Sequence, residues 1–175
     1  FFCPSYNEAS RLVDEGLDPA AIDRVARAIF AAPFGPLAVT NLTKVRIAFH
    51  SQRNLARLGA FYEPAASLAR LGDADQAWTI PGSPPALDPA TEQAVADRLR
   101  AAVFLPVLQL IDEGIAERVG LTPAMIEDMY KIMAIADYEE RFVIPTAHRE
   151  LAEEDIMGLR GGCGFTDGNG CSSGH

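Results

Sequence analysis

Apolar residues recur along this chain at the three- and four-residue spacing that is typical of amphipathic α-helices. In the first such stretch, Tyr6, Ala9, Leu12 and Val13 fall on one helical face. The spacing predicts helices over residues 4–15, 18–31, 37–58, 64–71, 88–113, 122–138 and 146–157. The alternation of apolar and polar residues that marks a strand does not recur in this way. The pattern therefore predicts an all-α fold.

Proline and glycine separate the predicted helices. The run Pro-Phe-Gly-Pro at 33–36 predicts a tight break between the second and third helices. Residues 72–89 form a connector rich in proline and glycine, in which we expect Trp78 to anchor the loop onto the core. From residue 158 onward glycine is so frequent that a flexible tail is predicted over 158–175.

One sequence motif occurs twice. Leu-Val-Asp-Glu-Gly at 12–16 reappears as Leu-Ile-Asp-Glu-Gly at 110–114, and each copy ends a predicted helix at the residue favoured in left-handed backbone. Residues 17–23 likewise resemble residues 121–127, and both stretches carry the signals that start a helix. The N-caps are Asp18 and Thr122, the first helical residues are Pro19 and Pro123, and the hydrophobic staples are Leu17 with Ile22 and Leu121 with Ile126. The repetition predicts a duplicated helical hairpin.

Composition and charge narrow the classes of partner. With 49% apolar and 22% charged residues, the 175-residue chain can bury a globular core. Its formal charge of −9 disfavours nucleic acid and anionic membranes as partners. No apolar run approaches the roughly 20 residues of a membrane span, and residues 1–10 do not have the form of a signal peptide. We therefore expect a cytoplasmic protein without a membrane span.

The cysteines argue against a metal centre. Cys3, Cys163 and Cys171 include no Cys-x-x-Cys pair, and three thiols are too few for a conventional four-cysteine iron–sulfur cluster. Cys163, Cys171 and His175 provide only three zinc ligands at an unusual spacing. Free thiols or a disulfide that closes a small loop are the alternatives for the tail. No metal site and no cofactor bound by this chain are predicted.

A basic stretch is the clearest candidate binding site in the first two thirds of the chain. Lys44, Arg46, His50 and Arg53 lie within one predicted helix of an otherwise acidic protein. They can bind the phosphates of a substrate, or they can form an ordinary solvated helix face. No catalytic residue is predicted, since adjacent acids such as Asp14 and Glu15 point away from each other on a helix.

Several motifs in residues 1–116 resemble, in the same order, the C-terminal helical domain of 3-hydroxyacyl-CoA dehydrogenases. They lie at 6–9, 11–16, 22–23, 33–36 and 59–64, and at 96–99, 102–105 and 112–114 for a second copy of that domain. The resemblance implies two helical-hairpin repeats of the type found at the C-terminus of 6-phosphogluconate dehydrogenase. It also implies a domain that faces acyl-CoA, forms a homodimer and takes part in fatty-acid β-oxidation.

The same resemblance implies that this chain has no activity alone. In that family a Rossmann domain supplies the NAD site and a His–Glu pair, and this chain has no strand followed by Gly-x-Gly-x-x-Gly. The asparagine that the helical domain contributes would fall before Phe1, and Asn7 does not correspond to it. We therefore expect NAD on a separate Rossmann domain. On this interpretation Lys44, Arg46, His50 and Arg53 bind the phosphates of CoA.

Motifs in the last third resemble a different family, the C-terminal segment of respiratory nitrate reductase β subunits. They lie at 120–123, 129–130, 134–150, 162–165 and 168–171. The family's iron–sulfur clusters pass electrons to a molybdenum catalytic subunit, and this segment corresponds to a cluster-free end. Residues 117–157 are then a helical module that docks on a redox-enzyme subunit. The docking candidates are Tyr138, Arg141, Phe142, His148 and Arg149, for which an internal clamp on the last helix is the alternative.

The two resemblances meet near residues 115–120, which predicts a chimeric chain. A natural fusion, an artificial sequence and a misassembled reading frame each explain such a junction. Because the first resemblance covers about two thirds of the chain, a non-catalytic acyl-CoA-facing and dimerisation domain is the leading function. The alternative is a docking module like the end of a nitrate reductase β subunit.

Overall fold

The computed structural model describes residues 2–112 and residue 129. The α-helices of that part are α1 (Phe2–Asp14), α2 (Pro19–Phe30), α3 (Pro36–Thr43), α4 (Val45–Leu55), α5 (Ala66–Asp73) and α6 (Pro89–Asp112). Single 3₁₀ turns at Ala56–Leu58 and Ala60–Tyr62 follow α4. The all-α prediction is confirmed over these residues. The helices predicted for 122–138 and 146–157 and the tail predicted for 158–175 lie outside the described residues, apart from helical Met129.

The junction between α1 and α2 forms as its sequence predicts. Gly16 adopts a φ of 98°, and the N–H groups of Gly16 and Leu17 donate to the carbonyls of Val13 and Leu12 at 2.9 and 3.1 Å. This is the Schellman arrangement that ends a helix at glycine. The Asp18 carboxylate then accepts from the first backbone N–H groups of α2 at 2.8 and 3.2 Å. The second copy of the motif continues beyond Asp112, outside the described residues.

The prediction of a single helix over 37–58 is wrong, because the helix is interrupted at Lys44. Lys44 has φ 78° and ψ 120°, which no α-helix accommodates, so α3 ends before it and α4 begins after it. Thr40 and Thr43 donate their hydroxyls back to carbonyls of α3, a local bond that competes with helix continuation. After Leu55 the backbone tightens into 3₁₀ turns around Gly59, whose φ is 127°.

Helix α1 is the hub of the fold, in contact with each of α2 to α6. The largest fully buried side chains of the core around it are Leu12, Ile22, Leu37, Leu68 and Leu99. Trp78 is only 6% exposed and packs in this core, which confirms that it anchors the 72–89 connector. The Asn41 side chain holds Trp78 there by binding its backbone. It accepts from the backbone N–H of Trp78 at 2.8 Å and donates to the backbone carbonyl of Trp78 at 3.0 Å.

The second half of α6 belongs to a separate, smaller apolar cluster. Ala101, Ala102, Leu105 and Leu108 pack there with Met129, which is 4% exposed. Among the residues that the structure describes, no helix combines the length with the apolar character that crossing a bilayer requires.

Candidate functional site

An open apolar groove lies at the N-terminal end of α1. It has a volume of about 220 Å³ and sits between the start of α1, the end of α2, the start of α3 and the middle of α6. Three aromatic side chains on its wall, Phe2, Phe30 and Phe34, are 76%, 37% and 53% exposed. The remaining wall is formed by Ser5, Tyr6, Ala26, Ala32, Pro36, Val39 and Val103. Exposed aromatic surface around a concave site is typical of a place where an apolar ligand binds.

The polar groups of this groove are already bonded within the protein. The Tyr6 hydroxyl donates to the carbonyl of Ala48 at 3.0 Å, and the Ser5 hydroxyl donates to the carbonyl of Phe2 at 2.8 Å. Burial raises the pKa of the Tyr6 hydroxyl, so this group stays protonated at neutral pH. The lining residues that the structure describes therefore offer apolar contact rather than acid–base or nucleophilic chemistry.

Asp23 and Gly35 hold the wall of the groove where α3 begins. The buried Asp23 carboxylate accepts from the N–H groups of Leu37 and Ala38, each at 2.9 Å, and so caps α3. Burial raises the pKa of Asp23, against the opposing effect of these two hydrogen bonds. A Cβ atom on Gly35 would lie 2.2 Å from the Asp23 Cγ, so only glycine allows this approach. The chain between α2 and α3 is thereby kept close to the body of the protein.

On its other side, α1 binds the segment that leads into α5. The Asn7 amide donates to the Glu63 carbonyl at 2.8 Å and accepts from the Ala65 N–H at 2.9 Å. The Asp14 carboxylate accepts from the N–H of Ser67 at 3.0 Å, at the start of α5. Because Asn7 is only 1% exposed, these two bonds satisfy an amide group that water does not reach.

An ion triad with a buried Arg98–Glu8 pair at its centre joins α1 to α6. The Arg98 Nε donates to Glu8 at 2.7 Å, and the Arg98 guanidinium also binds both carboxylate oxygens of Glu15. The Arg98 and Glu8 side chains are 6% and 3% exposed, whereas that of Glu15 is 43% exposed. Burial opposes the Arg98 cation, but its bonds to Glu15 and Glu8 outweigh burial and raise its pKa. The triad aligns α6, whose Val103 lines the groove.

The four basic residues singled out from the sequence lie away from the groove. Arg46, His50 and Arg53 share one face of α4, with Lys44 at the break before it. Arg46 and Arg53 are exposed, and the Arg53 guanidinium lies 5.5 Å from the centre of the Phe49 ring. None of the four lines the groove. The structure thus brings three of them together, but apart from the aromatic wall.

The groove itself was missed at the level of sequence. The sequence carried only a partial signal, since Phe30 and Phe34 lie beside and within the break at 33–36 but Phe2 comes from a distant part of the chain. The predicted docking residues Tyr138, Arg141, Phe142, His148 and Arg149 all lie outside the described residues.

Comparison with known proteins confirms both resemblances. Residues 1–79 match the family model described as 3-hydroxyacyl-CoA dehydrogenase, C-terminal domain. That match spans α1 to α5 and the start of the connector to α6, and every groove residue except Val103 falls inside it. The extension of this resemblance to residue 116 stays a prediction.

The chain is also similar to nitrate reductase β chains. It is 55% identical over 60 residues to the respiratory nitrate reductase 2 beta chain of Escherichia coli (strain K12), a match that covers 34% of this chain. It is 46% identical over 63 residues to the nitrate reductase beta chain of Bacillus subtilis (strain 168), or 36% of this chain. The chain spans only 12% and 13% of the lengths of these two relatives. No solved structure matches it.

Proposed function

We propose that residues 2–112 are the acyl-CoA-facing helical domain of an oxidoreductase like 3-hydroxyacyl-CoA dehydrogenase. The observation that carries this proposal is the apolar groove between α1, α2, α3 and α6. The family match over residues 1–79 supports it independently of the groove. The domain is non-catalytic alone and acts with a separate domain that binds NAD.

The chemistry of the groove suits the acyl chain rather than the reacting carbons. Its wall is almost wholly apolar, and each Å² of apolar surface removed from water contributes about 25 cal/mol. The hydroxyls of Ser5 and Tyr6 already donate to backbone carbonyls, so they do not donate hydrogen bonds to the substrate. In this proposal the groove holds the chain of the thioester, while the oxidation of its 3-hydroxyl takes place on the partner domain.

Calorimetric titration of the full chain with a medium-chain 3-ketoacyl-CoA, and with CoA alone, tests this proposal. The thioester is expected to bind at least about tenfold more tightly than CoA, because only the thioester fills the groove. Val39→Glu places a charge in the apolar wall and is expected to weaken thioester binding by a similar factor.

The matched control is Leu42→Glu, which introduces the same charge on the same helix at a residue that is 67% exposed and outside the groove. It is expected to leave thioester binding unchanged. Equal binding of the thioester and CoA, or equal effects of the two substitutions, would rule out the groove as the acyl site.

A second function rests on the similarity to nitrate reductase β chains. Here the chain docks on a subunit of a redox enzyme, and Tyr138, Arg141, Phe142, His148 and Arg149 supply the contacts. A pull-down with a purified molybdenum catalytic subunit of nitrate reductase tests it. The full chain is expected to retain that subunit, and a chain without residues 119–175 is not. Equal retention by both chains would contradict the docking function.

The two functions refer to different oxidoreductases. We therefore propose that the chain joins segments of two origins near residues 115–120, as the order of the sequence motifs predicts. An uninterrupted coding sequence across 110–125 in genomic DNA would establish a natural fusion.

A further inference from the structure

The charges of this chain are unevenly distributed. Residues 24–62 contain six Lys and Arg residues and no Asp or Glu, although the whole chain has a formal charge of −9. A solvated helix face normally mixes both signs of charge. This stretch is therefore a cationic region in an acidic protein.

Three of these arginines, together with His50, form a row along α4 and the turn after it. Arg46, His50, Arg53 and Arg57 follow one another at intervals of four, three and four residues, which places them on one helical face. At 1.5 Å per residue the row is about 16 Å long. The three arginines are exposed, and His50 is half-buried. Among the residues that the structure describes, none of the three arginines is within salt-bridge distance of a carboxylate.

Two exposed aliphatic side chains lie beside this cationic row. Ile47 and Leu58 are 58% and 60% exposed, and each directly follows an arginine of the row in sequence. One exposed aliphatic residue is unremarkable on a protein surface. A cationic row with an apolar flank is instead the pattern of a protein-binding surface, where apolar contact supplements charge pairing.

We propose that this face of α4 and the following turn docks an acidic amphipathic helix of a partner protein. Carboxylates at positions i, i+4, i+7 and i+11 of such a helix match the spacing of the row. Arginine is suited to them, since its guanidinium binds a carboxylate through two parallel hydrogen bonds. The apolar flank of the partner helix covers Ile47 and Leu58. A single phosphate is far shorter than the row and leaves these two residues in water, so the surface suits a helix better.

The test uses the full chain and a labelled synthetic helical peptide of about four turns, with Glu along one face and Leu beside it. The comparison peptide has the same composition in scrambled order. Fluorescence anisotropy is expected to show binding of the first peptide and at least about tenfold weaker binding of the second. Binding is expected to weaken as salt is raised from about 0.05 to 0.5 M, since exposed charges are screened.

Charge reversal locates the site. Arg46→Glu with Arg53→Glu is expected to reduce peptide affinity at least about tenfold, because rim charges are replaced by like charges. Arg70→Glu, at an exposed position on α5, is the matched single-charge control for Arg46→Glu alone and is expected to leave the affinity unchanged. Circular dichroism of each variant checks that the helices are retained.

Three outcomes would overturn this proposal: no binding of the acidic peptide, equal binding of the scrambled peptide, or equal loss in the two sets of variants. Inorganic pyrophosphate serves as a further probe. If pyrophosphate binds and the doubly reversed variant loses it while peptide binding is unaffected, the row is a small-anion site and the proposal is wrong. None of these results depends on Val39 or the acyl groove, so the two proposals fail separately.

Discussion

The two ends of α1 differ in how their side chains are used. From Asn7 to Asp14, polar groups of α1 hold α5 and α6 through bonds to Glu63, Ala65, Ser67 and Arg98. At its N-terminal end the same helix presents Phe2 and Tyr6 to an open groove. The polar end specifies how the helices are arranged, because each of its groups needs a partner in a given place. The groove at the apolar end can therefore stay open to solvent, because the arrangement of the helices does not depend on filling it.

The largest effect is expected at the polar end, from Arg98→Met. This change leaves Glu8 as a buried carboxylate without its cation, which typically costs about 3–5 kcal/mol of unfolding free energy. Urea unfolding followed by circular dichroism measures it. The control is Arg100→Met on the same helix, where a more exposed pair with Asp97 at 3.4 Å is lost and at most about 1 kcal/mol is expected. Equal losses would show that the triad does not hold α6 to α1.

The next effect concerns the wall of the groove. Gly35→Ala forces a methyl group into the Asp23 carboxylate and disturbs the cap of α3, for an expected loss of about 2–3 kcal/mol. Gly82→Ala, where the added methyl group meets no atom within 4 Å, is expected to be nearly neutral. In an Asp23→Ala background the cost of Gly35→Ala should fall. If it does not fall, the contact between these two residues is not the cause.

A change on the open side of the groove is expected to separate stability from binding. Phe34 is 53% exposed, so Phe34→Ser is expected to change the unfolding free energy by no more than about 0.5 kcal/mol. Thioester binding is nevertheless expected to weaken about tenfold, because part of the apolar wall is removed. Urea unfolding and calorimetric titration of the same sample measure the two quantities. A large loss of stability would show instead that Phe34 stabilises the fold.

The smallest expected effect is a pH dependence at the surface between α2 and α6. Arg24 donates two hydrogen bonds of 3.0 Å to Glu92, and these bonds lower the pKa of Glu92 from its ordinary value. Because the folded-state pKa is the lower one, the stabilisation is present above the unfolded-state pKa and is lost as pH falls through the folded-state value. Thermal unfolding between about pH 3 and 6 should therefore show a shallower acid loss in Arg24→Met. Arg70→Met is expected to show the same pH dependence of thermal unfolding as the unaltered chain. If Arg24→Met also shows that pH dependence, the pairing of Arg24 with Glu92 is contradicted.

The candidate sites were predictable to different degrees. The basic residues of α4 stand out in sequence because their charge contrasts with that of the whole chain. Their common face follows from the helical period. The groove could not be found in this way, since Phe2, Phe34 and Val103 come from separate parts of the chain and only packing places them around one space. The break at Lys44 was missed for a related reason, because the apolar pattern continues across the point where the backbone conformation of Lys44 interrupts the helix.

Local interactions explain what the sequence determined by itself. The all-α fold and the turn from α1 to α2 depend on contacts within a few residues, such as the bond from Leu17 to Leu12 or the cap of α2 by Asp18. Tertiary structure decided which residues, distant in sequence, cap a helix or form an ion pair. Asp23 caps α3 across 14 residues, Asp14 binds the start of α5 across 53, and Glu8 meets Arg98 across 90. Any acidic residue offers the same carboxylate, and only the packed arrangement of helices brings one to a particular helix terminus or guanidinium.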